Sequence, residues 1–383
     1  MKNRLLRIGS YILVAALATA ITLAMVGKTA QVSKLDQLEA LIEERFIGEA
    51  DKEALEDAAA AAMVSATGDR WSYYVPASEY ETYQEQMENA YVGVGITIQV
   101  LEEDAGFAIM AVTEGGPAEE AGLQVGDVLI LVDDQDVRGM TTGEVRELVR
   151  GEEGTKVVLT VLRQGEHTSA AVERRKVQTP VAAYELLENN VGLVTIENFD
   201  ARCAEETIAA IEALLDNGAQ KLIFDVRNNP GGYASELVKV LDYLLPEGEV
   251  FRTVSYDGKE NVDYSDADCL ELPMAVLVNA SSYSAAEFFA AALQEYEAAV
   301  VVGEQTVGKG YFQTTYRLND GSALALSIGK YFTPNGNNLA GVGVTPDVVV
   351  AVDEETSSGI YYGTLPAGED PQIQAAVREL TKK

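Results

Sequence analysis

Two short segments of the chain combine residue types that can perform covalent chemistry. A serine-rich turn, Asn-Ala-Ser-Ser-Tyr-Ser-Ala-Ala-Glu, occupies residues 279–287 and leads from a strand-like run into a helical pattern. The consecutive glycines Gly231 and Gly232 follow an earlier strand-like run, and their backbone N–H groups are free to face a ligand. Serines at such a turn more often cap a helix than attack a substrate, so both roles remain open.

A lysine between two glycines follows the serine-rich turn. Lys309 comes shortly after a strand-like run that ends near Gly303, which is an unusual setting for an ordinary surface lysine. A lysine, with an ordinary pKa of about 10.4, activates a serine hydroxyl only if it loses its charge. Burial and a neutral partner favour that loss, whereas a neighbouring carboxylate opposes it.

The composition nearly excludes histidine and cysteine chemistry. The chain has one histidine, His167, which we interpret as an exposed residue at a hairpin tip, and two cysteines, Cys203 and Cys269, without a CxxC pair. Most zinc and thiol chemistry is therefore removed, and we expect neither a metal nor a cofactor. The two cysteines either form a disulfide outside the cytoplasm or remain free thiols.

Charge and length narrow the classes of function further. The 383 residues include 28 Lys and Arg against 61 Asp and Glu, which gives a net charge of −33, and 47% of the residues are hydrophobic. That length suggests two or three domains, and the hydrophobic content argues against global disorder. Nucleic acid is an unexpected partner, because its affinity comes chiefly from Lys and Arg.

The N-terminus predicts a membrane anchor. Basic residues precede an uncharged run over residues 8–27, and these 20 residues suffice to cross a hydrocarbon core as a helix. The alternative is a cleaved signal peptide, but residues 28–30 form a poor cleavage site. We therefore expect residues 1–30 to be a cytoplasmic start with a single-pass transmembrane helix in the cell membrane, and the remainder to be extracytoplasmic.

A helical region is predicted for residues 31–88. Leu35, Leu38 and Leu41 recur at helical spacing and form an apolar stripe. The stripe packs either on the chain's own core or on a second copy, so a homodimer is one of two open outcomes.

Residues 89–176 show short β-like runs, including one over residues 92–98, interrupted by one helix. Three blocks carry a resemblance to PDZ domains: Tyr-Val-Gly-Val-Gly-Ile at 91–96, Gly-Pro-Ala-Glu-Glu-Ala-Gly-Leu at 116–123 and Gly-Asp-Val-Leu-Ile at 126–130. In PDZ domains a peptide adds as a strand beside the one after the glycine loop, and loop N–H groups hold its terminal carboxylate. The resemblance implies these groove residues: Tyr91, Val92, Gly93, Val94, Gly95, Ile96, Val145, Leu148 and Val149.

From residue 177 the chain alternates strand-like and helical runs, which predicts an α/β layered core over 177–360 and a helical tail over 361–383. Within it, the blocks at 225–232, 281–287, 303–313 and 341–347 resemble the carboxyl-terminal processing peptidases, a serine protease family with an embedded PDZ domain. The similarity extends from about residue 34 to the end and includes Asp-Pro-Gln near the C-terminus. It implies a crotonase-like architecture for the core.

The resemblance assigns roles to individual residues. The family's Ser-Lys dyad has its lysine 25 positions after the serine and an assisting glutamine four positions later, which identifies Ser284 as nucleophile, Lys309 as general base and Gln313 as the residue that orients the lysine. The implied oxyanion donors are backbone N–H groups of Gly231 or Gly232 and of Ala285. This chain departs from the family's Ser-Ala-Ser-Ala-Ser-Glu but keeps the dyad serine. Glu295, eleven positions after Ser284, also matches an acidic position in some members.

The sequence therefore predicts a multidomain α/β (α+β) protein with a transmembrane helix, a helical region, a β-rich PDZ domain and a protease core. Its expected function is that of an extracytoplasmic serine endopeptidase, which captures unstructured C-terminal tails of polypeptides and cleaves them through an acyl-enzyme. The alternatives are a catalytically silent PDZ scaffold at the membrane and an acyl-CoA hydratase-like enzyme. The scaffold has no need of the dyad spacing, and the hydratase does not explain the PDZ blocks.

Overall fold

The computed structural model describes residues 33–101 and 105–382. They belong to two compact units, Met1–Tyr74 and Val75–Lys383. The predicted membrane segment, residues 8–27, lies outside the described residues. Within the described ranges, no helix is both long enough and apolar enough to span a membrane.

The described part of the first unit consists of two helices, α1 (Lys34–Arg45) and α2 (Lys52–Ser65), as the apolar spacing predicts. Ser33 caps α1 and Asp51 caps α2, since each side chain accepts a backbone N–H of the first turn. Neither helix contains a buried residue, and the leucine stripe of α1 is 44–49% exposed. Strand β1 (Tyr73–Val75) follows at the boundary of the units.

The second unit begins with a 3₁₀ turn (Ala77–Glu79) and helix α3 (Tyr80–Met87) and continues into a β-rich region. Its strands are β2 (Ala90–Gly93), β3 (Ile96–Val100), β4 (Phe107–Val112), β5 (Val128–Val132), β6 (Gln135–Asp136), β7 (Lys156–Arg163), β8 (Glu166–Glu173) and β9 (Arg175–Gln178), and its helices are α4 (Pro117–Glu120) and α5 (Thr142–Val149). One sheet has the order β3-β4-β5-β7-β8, with β6 on β5, and β2 pairs separately with β9.

The prediction of a single strand over residues 92–98 is wrong, because the extended backbone is interrupted between β2 and β3. Gly95 has φ +77°, a conformation that side chains rarely adopt, and Thr113 donates its N–H to the Gly95 carbonyl. Helix α5 begins where the sequence predicts it, since Thr141 and Glu144 form a reciprocal capping box.

The rest of the second unit is a layered α/β core. Its strands are β10 (Ala182–Leu187), β11 (Val191–Ile196), β12 (Lys221–Asp225), β13 (Gly248–Ser255), β14 (Glu260–Ser265), β15 (Met274–Val278), β16 (Ala299–Gly303), β17 (Tyr311–Arg317), β18 (Ala323–Phe332) and β19 (Val348–Val349). Its helices are α6 (Cys203–Asp216), α7 (Ala234–Leu244), α8 (Ala285–Glu295), α9 (Glu354–Tyr361) and α10 (Pro371–Thr381), and a 3₁₀ turn lies at Glu188–Asn190.

The central sheet has the order β10-β11-β12-β15-β16-β19, and all its strands except β10 run parallel. Alternate residues of β11 face opposite sides: Val194 and Ile196 pack against α6, α7 and α8, while Leu193 packs against α10. The C-terminal helix α10 therefore packs on the core sheet. Both faces of the parallel sheet are covered, as such sheets require.

A second, antiparallel sheet was not predicted from the sequence. The strands β14, β13, β18 and β17 are neighbours in that order. Strand β17 directly follows the loop that carries Lys309, and β18 carries Tyr331 into the core cluster. This sheet supplies one wall of the region around Ser284.

Candidate active site

Ser284 occupies a sharp turn between strand β15 and helix α8. Its backbone has φ 59° and ψ −124°, which is uncommon for a residue with a side chain, and the residue is only 4% exposed. The neighbouring Ser282 is fully buried and donates its hydroxyl to the Val226 carbonyl at 2.7 Å. Ser282 thus fixes the turn, whereas Ser284 stands at the strand-to-helix junction where a nucleophilic serine is expected.

The Gly231–Gly232 pair lies directly against this turn. A Cβ atom added to Gly231 would lie 2.7 Å from the Ser284 Cβ and 2.8 Å from the Ala285 backbone nitrogen. Gly231 also has φ +89°. Only glycine therefore allows the loop to approach the serine so closely.

The hydrogen bonds of this loop favour one of the two glycine donors that the sequence analysis left open. The Gly231 N–H donates to Asn229 Oδ1 at 2.8 Å, so it is not available to a substrate in this structure. Within the described part of the chain, no acceptor is bonded to the backbone N–H of Gly232 or Ala285. The pair that fits an oxyanion is therefore Gly232 and Ala285, and Gly231 provides space instead.

A buried arginine holds the base of the same loop. The guanidinium of Arg227 donates to Asp225 at 2.9 Å, to Asp370 at 2.7 Å and to Gln372 at 2.9 Å. Only 4% of the Arg227 side chain is exposed. The Asp-Pro-Gln segment at the start of α10 thus connects the C-terminal tail to the loop that carries Gly231 and Gly232.

Glu287 links the two residues of the predicted dyad. This carboxylate is fully buried and accepts the backbone N–H of Ser284 at 3.0 Å and that of Lys309 at 2.8 Å on one oxygen. Its other oxygen accepts the Gly308 N–H at 2.7 Å and the Thr306 hydroxyl. Burial raises the pKa of Glu287, and these four hydrogen bonds oppose that rise.

The structure brings Lys309 next to the serine turn. Its Nζ lies 5.7 Å from the centre of the Tyr283 ring, and Tyr283 immediately precedes Ser284. The lysine is half-buried in the loop between β16 and β17. The resemblance to the processing peptidases implied this neighbourhood, but the sequence analysis did not predict the role of Glu287, although Ser-x-x-Glu is a recognisable capping signal.

Tyr331 is a second neighbour that the sequence analysis missed. Its ring packs against Phe251, Phe288 and Phe312, and its backbone N–H donates to the Gly310 carbonyl at 3.1 Å. Burial raises the pKa of the Tyr331 phenol, and a hydrogen bond with the Ser284 side chain acts in the opposite direction. The phenol therefore lies near the predicted nucleophile.

Gln313 and Glu295 have identifiable partners nearby. The Gln313 amide donates to the Ser327 hydroxyl at 3.0 Å on the paired strand β18 and to the Tyr311 carbonyl at 3.2 Å. The Glu295 carboxylate accepts from Thr333 Oγ1 at 2.7 Å and from two further donors of the turn at residues 335–337. Glu295 thus fastens the turn that follows β18.

The single histidine and the two cysteines are the remaining residues whose chemistry the sequence analysis considered. His167 is exposed on β8, as expected of a hairpin residue, and Cys203 and Cys269 are free thiols. Burial raises the pKa of Cys203 to about 12. Among the described residues, no group of three His, Cys, Asp or Glu side chains is arranged to hold a metal ion.

A separate groove lies between β3 and α5 in the β-rich region. The cavity measures about 260 Å³. It is lined by Tyr91, Gly93, Val94, Gly95, Ile96, Thr97, Ile98, Thr142, Arg146, Val149 and Arg150. Of the predicted groove residues, Val92, Val145 and Leu148 do not line it. Val145 is fully buried, Leu148 packs on the local core, and Val92 alternates with Tyr91 along β2, so its side chain points to the opposite face of that strand.

Comparison with known proteins agrees with this architecture. The model of peptidase family S41 matches residues 190–350, and a PDZ domain model matches residues 109–163. The chain is 33% identical over 310 residues to a probable CtpA-like serine protease of Staphylococcus haemolyticus, covering 80% of this chain and 62% of the relative. It is 30% identical over 347 residues to one of Staphylococcus aureus strain N315, covering 89% of this chain and 69% of the relative.

The fold has solved counterparts as well. The alignment with the crystal structure of the tricorn protease covers 76% of this chain and 29% of the tricorn protease chain, with a TM-score of 0.50 and 18% sequence identity. These findings define a PDZ-containing protein with the fold of the S41 peptidases. The chain belongs to the carboxyl-terminal processing peptidases, the group of serine-type peptidases in family S41.

Proposed function

We propose that this protein is a membrane-anchored, extracytoplasmic serine endopeptidase that cleaves polypeptides near unstructured C-terminal tails. The observation that supports this most directly is the shared carboxylate of Glu287, which binds the backbone of both Ser284 and Lys309. A carboxylate shared in this way holds a nucleophile and its base at a fixed relative position. The membrane anchor is assigned to residues 8–27, on the evidence of their sequence alone.

The reaction begins with proton transfer from the Ser284 hydroxyl to the neutral Lys309 amine. The serine oxygen attacks the scissile carbonyl carbon, and the backbone N–H groups of Gly232 and Ala285 stabilise the negative charge on the carbonyl oxygen. Lys309 then returns the proton to the leaving nitrogen as the carbon–nitrogen bond breaks. The product of this half-reaction is an acyl-Ser284 ester and a free amine.

Water completes the cycle. Lys309 removes a proton from a water molecule, the hydroxide attacks the ester carbonyl, and Ser284 leaves with the proton that Lys309 returns. Gln313 is assigned to orient the lysine, because an uncharged amide does not favour the protonated amine as a carboxylate would. This role is consistent with the position of Gln313 on the strand that follows the Lys309 loop.

Capture of the tail is assigned to the groove between β3 and α5. A peptide that adds beside β3 satisfies the backbone groups of that strand edge, while side chains enter the cavity. Arg150, at the end of α5, lies 3.8 Å from Glu85 of α3 and so contacts an element outside the β-rich region. The groove thus has a physical connection through which an occupied state can influence the rest of the unit.

The test compares cleavage of an unstructured protein with an apolar C-terminus by the full-length wild type and by Ser284→Ala and Lys309→Ala. We expect both variants to lose at least 1,000-fold in rate, as loss of a member of a nucleophile–base pair does, while they remain folded by circular dichroism. The matched controls are Ser281→Ala, an exposed serine of the same turn, and Lys330→Ala, an exposed lysine on β18.

Product masses followed over time locate the cleavage sites. Wild-type activity in either dyad variant would contradict the assignment of that residue. A protein that is inactive in all forms towards several tails would favour the scaffold alternative.

A further inference from the structure

The groove between β3 and α5 has an unusual charge for this chain. Asp and Glu outnumber Lys and Arg by 61 to 28 in the sequence, yet the described residues that line the groove include Arg146 and Arg150 and no carboxylate. An anionic group entering the groove therefore meets two cationic side chains, of which Arg150 also lies 3.8 Å from the Glu85 carboxylate. This local complementarity is the kind that selects among binding partners.

The two arginines lie on one side of α5, Arg146 within the helix and Arg150 as its C-cap residue. Thr142, Arg146 and Arg150 are spaced by four residues, so they follow each other along the side of the helix that lines the cavity. Four residues of α-helix span about 6 Å. Two residues of an extended peptide span about 6.6 Å, so the two guanidinium groups match positions two residues apart in a bound strand.

Arg150 stands at the glycine-loop end of the groove. Its guanidinium lies 5.8 Å from the ring centre of Tyr91, which directly precedes the loop at residues 92–95. A terminal carboxylate held by loop N–H groups comes to this end of the groove. Arg146 consequently lies further along the groove, two residues before the end of the peptide.

The Arg146 guanidinium remains available to pair with an anionic group of a ligand. Its recorded ion pair is with Glu147 of the same helix at 3.7 Å, and both side chains are mostly exposed, at 64% and 72%. Exposed neighbouring pairs of this kind are weak. Side chains two residues apart in an extended peptide point to the same side, so the side chain opposite Arg146 faces α5 together with the terminal one.

We propose that the groove selects tails with an acidic side chain two residues before the C-terminal residue, and that Arg146 is the residue that reads it. This inference rests on the proposed capture of C-terminal tails. It specifies the substrate class as tails with an apolar end preceded, two residues earlier, by Asp or Glu.

The experiment measures binding to the full-length Ser284→Ala protein, so that the ligand is not cut. Three fluorescein-labelled peptides of about ten residues share an apolar C-terminal residue and carry Glu, Gln or Lys two residues before it. By fluorescence anisotropy we expect the Glu peptide to bind about two- to fivefold more tightly than the Gln peptide, and the Lys peptide most weakly. About 0.5 M salt should compress these differences, because the pair is exposed.

Substitutions at Arg146 make the test specific. Arg146→Gln should equalise the Glu and Gln peptides, and Arg146→Glu should reverse the order so that the Lys peptide binds best. Arg138→Gln is the matched control: this arginine belongs to the same β-rich region, pairs with Asp136 and does not line the groove. It should leave the preference unchanged.

Two results would overturn the proposal in different ways. Equal dissociation constants for the three peptides, or an unchanged order in Arg146→Glu, contradict charge selection but leave tail capture intact. Absence of binding by all three peptides contradicts tail capture itself, and with it the inference.

Discussion

The buried carboxyl group of Asp200 allows a quantitative test of how burial changes a pKa and, through it, the free energy of unfolding. The residue is 9% exposed, and its Oδ1 has no hydrogen-bond partner among the described residues. Burial raises its pKa from 3.8 to about 7. It lies beside the loop that carries Gly231 and Gly232, since a Cβ atom added to Gly232 would come within 2.6 Å of the Asp200 nitrogen.

The shift has a definite consequence for stability. Between about pH 4 and pH 7 the folded protein keeps the Asp200 proton and the unfolded chain releases it, so the free energy of unfolding falls as pH rises through this window. A rise of about three pKa units corresponds to about 4 kcal/mol at most. Above pH 7 the folded state carries this cost in full, because the carboxylate is charged and desolvated.

Asp200→Asn removes the titration and keeps the shape of the side chain. We expect the variant to be more stable than wild type at pH 8, by up to about 4 kcal/mol, and nearly equal to it at pH 4. The measurement is urea unfolding followed by circular dichroism across this range, with Ser284→Ala in both proteins to prevent self-cleavage. The quantity compared is the difference in unfolding free energy, because other groups also titrate.

Asp127→Asn is the matched control with the opposite sign. Arg163 donates two hydrogen bonds to the buried Asp127 carboxylate and lowers its pKa. Asp127 therefore contributes stability above its unfolded pKa of about 4, and this contribution is lost as pH falls. The variant should be less stable than wild type at pH 8, and the deficit should shrink in acid. A stability difference for Asp200→Asn that does not change between pH 5 and pH 8 would refute the reasoning.

Two further predictions concern the neighbours of the dyad. Glu287→Gln places an amide NH₂ against backbone donors, and the resulting misplacement of Ser284 and Lys309 should lower kcat by about 100-fold while the protein stays folded. The readouts are turnover of a fluorogenic peptide and circular dichroism. An unchanged kcat would show that the carboxylate does not position the dyad. Tyr331→Phe removes the phenol beside Ser284, so phosphonylation of Ser284 by a fluorophosphonate probe, with loss of fluoride, should slow by about fivefold, the worth of one neutral hydrogen bond. Equal phosphonylation rates would contradict a role for the hydroxyl.

Much of the site follows from local sequence, because its residues stand at the ends of strands and helices. The parallel strand β15 is a continuous apolar run, and Ser284 and Glu287 follow it at capping-box spacing. Gly231 and Gly232 likewise follow β12. A strand end next to a helix start is encoded within a dozen residues, so the position of the turn could be predicted.

The tertiary structure decided which of these groups face each other. The Gly231 N–H bonds to the Asn229 side chain two residues earlier, which leaves Gly232 and Ala285 as the candidate oxyanion pair. The role of Glu287 required the loop at residues 306–309 to return to α8. The backbone donors at Gly308 and Lys309 are distant from Glu287 in the chain, and backbone groups carry no residue-type signal.

The antiparallel sheet shows the same division. Its strands β13, β14, β17 and β18 were not predicted, because pairing between β13 and β18 joins segments about 80 residues apart and depends on burial against α8 rather than on local preference. Tyr331 could therefore not be recognised beside Ser284. The sequence by itself determined the chemical groups and the turns that carry them, whereas long-range packing determined the hydrogen bonds that orient those groups, since such bonds form only after distant segments meet.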